Sequence, residues 1–477
     1  MSSKFYSLIR RAVSLSVFVL TTTVSLSAAA DGVIIRTRSV AIHNAETLCR
    51  VVSCKKTRFV DADAKEFANG NTFVRLKDGV AGEAVTVVSA RQVTADQFLE
   101  LLILARTAQS EFAQTIKIIT IDEAGVKAPI KVVDSKGNLI IDAHLAEKML
   151  KTAGAGRIDS GTLKVPVKTA VTVPHSNSSD KAPLLIAENV DSSLGQLIAQ
   201  QLGMEFMGRV EVANSSQLQN RQIIFLGTIQ EPHNESLLKT LVAVNQMTAA
   251  DAKVHLITPY LPYARSDKKD QAGVAITGRL IADLIETVGT SSIHFARAHA
   301  PQSQGFFRIP TSQSSGRETI NKFLQGQGVE QVISPDAGFQ KDATLYADDL
   351  KVPVSVINKQ RDLITGDSKL HDMSGPSVTG KVVAIIDDET ASGGTLAKAA
   401  EFLKKQGARK VFAVVTHLAG NPAQALNSEH IDKVVVTDSF DVKLQSPKLS
   451  VLSLSYEMVK DLRSKLKFTN RCSRAYN

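Results

Sequence analysis

Apolar and polar positions along this chain fall into repeated blocks. A dense apolar run is followed by a polar loop, then by a stretch with apolar residues at three- and four-residue spacing, then by a second apolar run. Dense runs of Val, Ile and Leu predict strands buried on both faces, and the three-four spacing predicts helices that bury one face. "AVTVVSARQVTADQFLELLILARTAQSEFAQTIKIITI" (residues 84–121) has this form, and so does "QIIFLGTIQEPHNESLLKTLVAVNQMTAADAKVHLITPY" (residues 222–260). The likeness continues, because "LIIDAHLAEKMLKTAGAGRI" (139–158) answers "VAITGRLIADLIETVGTSSI" (274–293). Strand–helix–strand repetition predicts an α/β fold with parallel sheets flanked by helices. The pattern predicts a duplicated domain, with a first copy over 31–175 and a second over 182–315, joined by the polar linker "VPHSNSSDKAP". A third α/β block follows over 316–450, and a strand, a helix and a basic tail over 451–477 end the chain.

The first thirty residues break this pattern. "MSSKFYSLIRR" is cationic without an acid, "AVSLSVFVLTTTVSLS" is apolar, and "SAAAD" places small residues before Asp31. That three-part form predicts a signal peptide cleaved after Ala30 and an exported, periplasmic or secreted protein, with organelle import as the alternative. Removal of Lys4, Arg10 and Arg11 would lower the net charge of +9 by those three cations. The remaining cations are scattered, which fits a solvated surface and a pocket for phosphorylated small molecules rather than nucleic acid. No later segment is long and apolar enough to span a bilayer. Of the three cysteines, Cys49 and Cys54 could pair in an exported protein and leave Cys472 over; three ordinary thiols are the plainer reading.

The strongest chemical signal is "VVAIIDDETASGGTLAKAAEFL", from Val382. It reads as a strand, a loop and a helix start. Free backbone N–H groups of Ser392, Gly393, Gly394 and Thr395 at that helix N-terminus would favour a phosphate. Asp387 and Asp388 can accept hydrogen bonds from vicinal hydroxyls or hold Mg²⁺ through water. A phosphate beside a diol predicts a ribose phosphate.

This loop resembles the ribose-phosphate loop of type I phosphoribosyltransferases. With "PYLPYARSDKKD" (259–270), "HAPQSQGFFRIP" (299–310), "SPDAGFQKDATLYADDL" (334–350) and "INKQRD" (357–362), the chain from about Ala182 to Phe468 resembles ribose-phosphate pyrophosphokinase, the phosphoribosyl diphosphate (PRPP) synthetase family. The resemblance implies tandem phosphoribosyltransferase-like α/β domains, with 316–450 as the carboxy-terminal one and both preceding copies of amino-terminal type. It implies transfer of diphosphate from ATP to ribose 5-phosphate, giving PRPP and AMP. Asp387, Asp388, Asp336 and the loop from Ser392 to Thr395 would take ribose 5-phosphate. Arg265 and Asp267 would line the ATP site, and Lys359, Arg361 and His299 would be catalytic. The first copy's "EFANGNTFVRL" (66–76) resembles the family's adenine loop, which makes Phe67, Asn69 and Asn71 ATP-binding candidates.

The departures from the family are specific. Arg297, Arg308 and Ser312 stand where it has aspartates of a cation-binding segment, and Ala391 replaces another Asp. Only His299 and Asp336 remain as metal candidates, which counts against a tightly held Mg²⁺. The second copy has "EFMGRVEV" in place of the adenine loop, and the first copy lacks "PYARSDKKD". One chain could thus supply what the family obtains by pairing two subunits; a decayed first copy kept for packing is the alternative. The family assembles through its amino-terminal domains, so a homo-oligomer is implied unless the extra copy blocks or satisfies that contact. Three activities stay open: a working diphosphokinase of reduced activity, a homologue that binds ribose phosphate or nucleotide without transfer, and a phosphoribosyltransferase.

Overall fold

The computed structural model describes residues 31–37, 71–77, 83–89, 93–112, 115–121, 129–159, 182–189, 191–208, 215–269, 275–361 and 368–465. The leader, the three cysteines, Phe67 and Asn69 lie outside the described residues. The chain divides into two compact units, one of residues 1–91, 108–130 and 154–164, the other of 92–107, 131–153 and 165–477.

Elements follow in chain order. The first region holds β1 (Asp31–Thr37), β2 (Asn71–Lys77), β3 (Glu83–Ser89), β4 (Val93–Thr94), α1 (Ala95–Phe112), β5 (Thr115–Ile121), β6 (Val132–Val133), β7 (Leu139–Ile141), α2 (Ala143–Ala153) and β8 (Ala155–Asp159). The middle region holds β9 (Leu184–Ala187), α3 (Ser193–Leu202), β10 (Glu205–Gly208), α4 (Ser215–Leu218), β11 (Gln222–Leu226), α5 (His233–Ala249), β12 (Lys253–Thr258), α6 (Thr277–Thr287), β13 (Ser292–Ala296) and β14 (Thr311–Ser314). The last region holds α7 (Arg317–Gly326), β15 (Gln331–Ser334), α8 (Gln340–Leu350), β16 (Val354–Arg361), β17 (Ser368–Ser374), β18 (Val382–Thr390), α9 (Gly394–Lys405), β19 (Lys410–Leu418), α10 (Ala423–Asn427), β20 (Lys433–Thr437), β21 (Leu449–Leu452) and α11 (Ser455–Lys465).

In the smaller unit, β1 and β2 pair antiparallel, and β3, β5 and β8 form a parallel sheet in the order β3-β5-β8. The larger unit is built on two main sheets. One runs β10-β9-β11-β12-β13-β14 and is parallel throughout. The other runs β17-β16-β15-β18-β19-β20-β21 and is parallel except for the β16–β17 hairpin. Helices cover both faces, as the dense apolar strands require: Ile333, Val383 and Ile385 pack under α9, while Val332, Ala384 and Ile386 pack under α7 and α8. Local sequence sets the helix ends. Ser192 caps α3 by accepting from the Gly195 N–H at 3.1 Å, and Gly203 closes it in the left-handed conformation at φ 65°.

Residues 92–107 and 131–153 belong to the larger unit although they precede the middle region in sequence. Phe98, Leu102, Ala105, Met149 and Leu150 of these segments are fully buried. The guanidinium of Arg106 reaches the carbonyl of Thr152 at 3.1 Å and the carboxylate of Asp283 on α6 at 2.6 Å. The end of the chain also crosses between sheets. β21 is the edge of the seven-stranded sheet, whereas Met458, Val459 and Leu462 of α11 share a core with Leu185, Ile198, Ile224 and Ile257 of the six-stranded one. Among the described residues no helix is long and apolar enough to cross a membrane.

Candidate active site

In open parallel α/β sheets ligands bind beyond the carboxyl ends of the strands. Four such ends converge in the larger unit. β12 leads into Tyr260–Asp267, β13 into His299, β15 into Asp336, and β18 carries Asp387, Asp388 and Glu389.

The three adjacent acids of β18 have different fates. Asp388 is buried, with Oδ2 2.5 Å from Nδ1 of His299. Burial alone would push its carboxyl up, but the hydrogen bond and charge of His299 hold it well below the usual carboxylate range. The same bond raises the His299 imidazole above its ordinary value, against partial burial. Asp387 moves the other way. Burial and the negative charge of Asp388 push it well up, although the Asp388 N–H donates to its Oδ1 at 3.0 Å. Two neighbouring carboxyls are thereby driven apart, one firmly ionised and one biased toward its neutral form. Glu389 forms an ion pair with Arg265, and burial raises it. Burial and Glu389 together raise the Tyr260 hydroxyl.

The loop after β18 is shaped by its glycines. Gly393 has φ 78°, and a Cβ there would sit 2.5 Å from that of Ala425 and 2.9 Å from its backbone nitrogen. α9 starts at Gly394 with no cap from Gly393; the Gly394 N–H makes a long 3.4 Å bond to the Ser392 hydroxyl, and such helix-start N–H groups favour an anion. The loop is held from behind by the Ala419 N–H on the Thr390 carbonyl at 2.8 Å and the Gln424 N–H on the Ser392 carbonyl at 3.1 Å. Ala391 packs against Gly420, where an added Cβ would approach its Cα at 3.2 Å.

The other expected residues are placed as follows. Asp336 caps its own turn, with Oδ1 accepting the Phe339 N–H at 3.2 Å. Asp267 accepts from Gln302 at 2.5 Å. Lys359 and Arg361 lie on β16 with backbone partners Leu370 and Ser368, and their side chains are outside the described residues. Asn71 opens β2 in the smaller unit, its side chain likewise outside. Arg297, Arg308 and Ser312, expected from the resemblance to stand at acid positions, each have side-chain partners. Arg297 turns into the core, bonding Asp342 at 2.7 Å and lying 5.0 Å from the Phe339 ring. Arg308 bonds Glu286 at 2.8 Å and Asp283 at 2.9 Å. Ser312 Oγ lies 2.7 Å from Nδ1 of the buried His294. Sequence reasoning missed Tyr260, Gln302 and Glu389; for Glu389 the signal was its place directly after two aspartates.

Magnesium requires an octahedron of oxygens. Among the described residues no group of three or more His, Cys, Asp or Glu is placed to hold a metal ion, and His299 commits Nδ1 to Asp388. Among the described residues the donor set does not fit a magnesium cage built by side chains.

Comparison with known proteins fits this geometry. A family model described as the N-terminal domain of ribose phosphate pyrophosphokinase matches residues 39–154 and 176–289, and one described as the phosphoribosyl synthetase-associated domain matches 373–469. Ribose-phosphate pyrophosphokinase 3 of Saccharomyces cerevisiae is 31% identical over 299 residues, covering 58% of this chain and 92% of the relative. The chain belongs to the ribose-phosphate pyrophosphokinase family. The Bacillus subtilis ribose-phosphate pyrophosphokinase is also 31% identical, over 277 residues, 57% of this chain and 85% of its own length. The crystal structure of phosphoribosylpyrophosphate synthetase from Mycobacterium smegmatis superposes with a TM-score of 0.53 at 26% identity, covering 60% of this chain and 98% of that one. The family's α/β fold, with parallel sheets and flanking helices, is the fold found here.

Proposed function

We propose that this protein transfers the β,γ-diphosphate of ATP to ribose 5-phosphate, giving PRPP and AMP, at the carboxyl ends of β12, β13, β15 and β18. The observation that carries the reading is the α9 N-terminus, which opens on a glycine loop beside the Asp387–Asp388 pair. The N–H groups of the loop take the 5-phosphate. Asp387 and Asp388 accept from the ribose hydroxyls. The C1 hydroxyl oxygen bonds to the β-phosphorus and gives up its proton to water, the bond from that phosphorus to the α–β bridging oxygen breaks, and AMP leaves with that oxygen. Lys359 and Arg361 neutralise the phosphates in transit, since phosphoryl transfer is mostly positioning and charge stabilisation.

Family membership and the matched relatives support this activity. A second reading, binding of ribose phosphate without transfer, is favoured by Arg297, Arg308 and Ser312 at the positions of the family's acids. Incubation of the purified chain with ATP, Mg²⁺ and ribose 5-phosphate separates the two. AMP release supports transfer. Ribose 5-phosphate binding without AMP leaves only the binding protein, and no binding of either ligand refutes both. The two matches of one family model, at 39–154 and 176–289, support a duplicated amino-terminal domain.

A further inference from the structure

The two similar stretches of sequence meet each other inside the larger unit, and in one place they meet at corresponding residues. Asp96 is the second residue of α1 and Asn234 the second residue of α5. The Asn234 Nδ2 donates to Asp96 Oδ1 at 2.8 Å. Thr152 and Thr287 each stand two residues before a left-handed glycine, Gly154 at φ 107° and Gly289 at φ 96°. Their hydroxyls are 3.1 Å apart. Contacts between equivalent residues are the mark of an isologous interface, here folded into one chain. In a pair of identical subunits such a contact joins two identical side chains. The Thr152–Thr287 contact has that form; the Asp96–Asn234 contact joins neighbouring, non-equivalent positions, an amide donating to a carboxylate.

The Asp96 contact continues toward the site. A carboxylate only accepts, so the Asn234 nitrogen must face Asp96 and its oxygen must face away. That oxygen accepts the Tyr263 hydroxyl at 2.6 Å. Tyr263 is the bend of the nucleotide segment. It holds φ 60°, a conformation rare outside glycine, and its carbonyl accepts the Ser266 N–H at 3.0 Å. Arg265 and Asp267 follow within that turn.

We infer that Asp96 is a positioning residue for the Tyr263–Asp267 turn, acting through Asn234 and the Tyr263 hydroxyl, so that the first similar stretch helps to shape the ATP side of the site. The inference rests on the proposed reading of that turn as nucleotide-binding, and its test separates the two. Trypsin cleavage after Arg265, Lys268 and Lys269 of the full chain reports how well the turn is held without any ligand. Asp96→Leu and Asn234→Asp, which respectively remove the acceptor and oppose two carboxylates, should speed cleavage by about 2- to 10-fold, the range of one ordinary hydrogen bond. Asp96→Asn keeps an acceptor and should behave like the wild type. The swap Asp96→Asn with Asn234→Asp restores a donor facing a carboxylate and should rescue the single Asn234→Asp change. Thr152→Val perturbs the same internal interface away from Tyr263 and should leave cleavage unchanged. ATP affinity, read by calorimetry, should fall in step with faster cleavage, while ribose 5-phosphate affinity stays constant. Equal cleavage in Asp96→Leu and wild type overturns the inference, and so does equal acceleration by Thr152→Val. A wild-type chain that binds no ATP tells against the proposed function, and the cleavage rates then still support or overturn the relay.

Discussion

His299→Ala should loosen β18 within a defined pH window. The imidazole Nδ1 lies 2.5 Å from the Asp388 Oδ2 atom, and Asp388 is only 3% exposed. Removing one member of a buried pair costs about 3–5 kcal/mol, because the charge left behind is unpaired. The His299 side chain is 44% exposed, so water can partly replace it, and the expected cost drops to about 1–2 kcal/mol. That corresponds to roughly a 5- to 30-fold loss of protection for amides of Val382–Thr390, measured by hydrogen exchange with mass spectrometry. The chain has no Trp, so exchange reports this region better than intrinsic fluorescence. The sign of the pH dependence follows from the two shifts. His299 is raised on folding, so its contribution is complete below the unfolded value near 6.5 and is lost as pH rises through the folded value. Asp388 is lowered, so its contribution is complete above the unfolded value near 3.9 and is lost as pH falls through the folded value. The difference between wild type and variant should therefore be greatest between about pH 4 and 6.5 and shrink above it. Equal protection in both proteins, or a difference that grows toward alkaline pH, would refute the pairing.

Gly393→Ala should lower ribose 5-phosphate affinity at least about tenfold, because it combines a left-handed φ with a clash against Ala425; calorimetry checks this. Gly394→Ala meets only the flexible end of Gln424, so its effect should be clearly smaller in the same titration. If the first stretch supplies an adenine loop, Phe67→Ala weakens ATP binding and leaves ribose 5-phosphate binding alone; unchanged ATP affinity counts against that loop. Intact-mass measurement after expression in a secreting host should find a chain beginning at Asp31, and an uncleaved Met1 terminus would defeat the leader assignment.

The parts of the site legible in the sequence are those encoded locally. A strand run, two aspartates and a glycine loop before a helix are consecutive residues, and β18 and α9 appear where the pattern puts them. Illegible were the pairs made across the fold. Nothing near Arg265 in sequence announces Glu389, and nothing near Arg297 announces its partner Asp342 on α8. The assignment of 92–107 and 131–153 to the larger unit was hidden for the same reason, since an amphipathic helix specifies that one face is buried but not which surface covers it.

The crossing of α11 bears on how this chain is made. The core beneath the six-stranded sheet includes Leu454, Met458, Val459 and Leu462, so that sheet's core is completed only after every strand of the seven-stranded sheet has been synthesised. At about 5–20 residues per second, roughly 150 residues and on the order of 10–30 s separate β14 from α11. For that interval an apolar face of Leu185, Ile198 and Ile224 waits on the nascent protein. A stop codon just before Ser455 would make the exposure permanent, and such truncations should be found among insoluble or chaperone-bound material rather than as smaller active proteins.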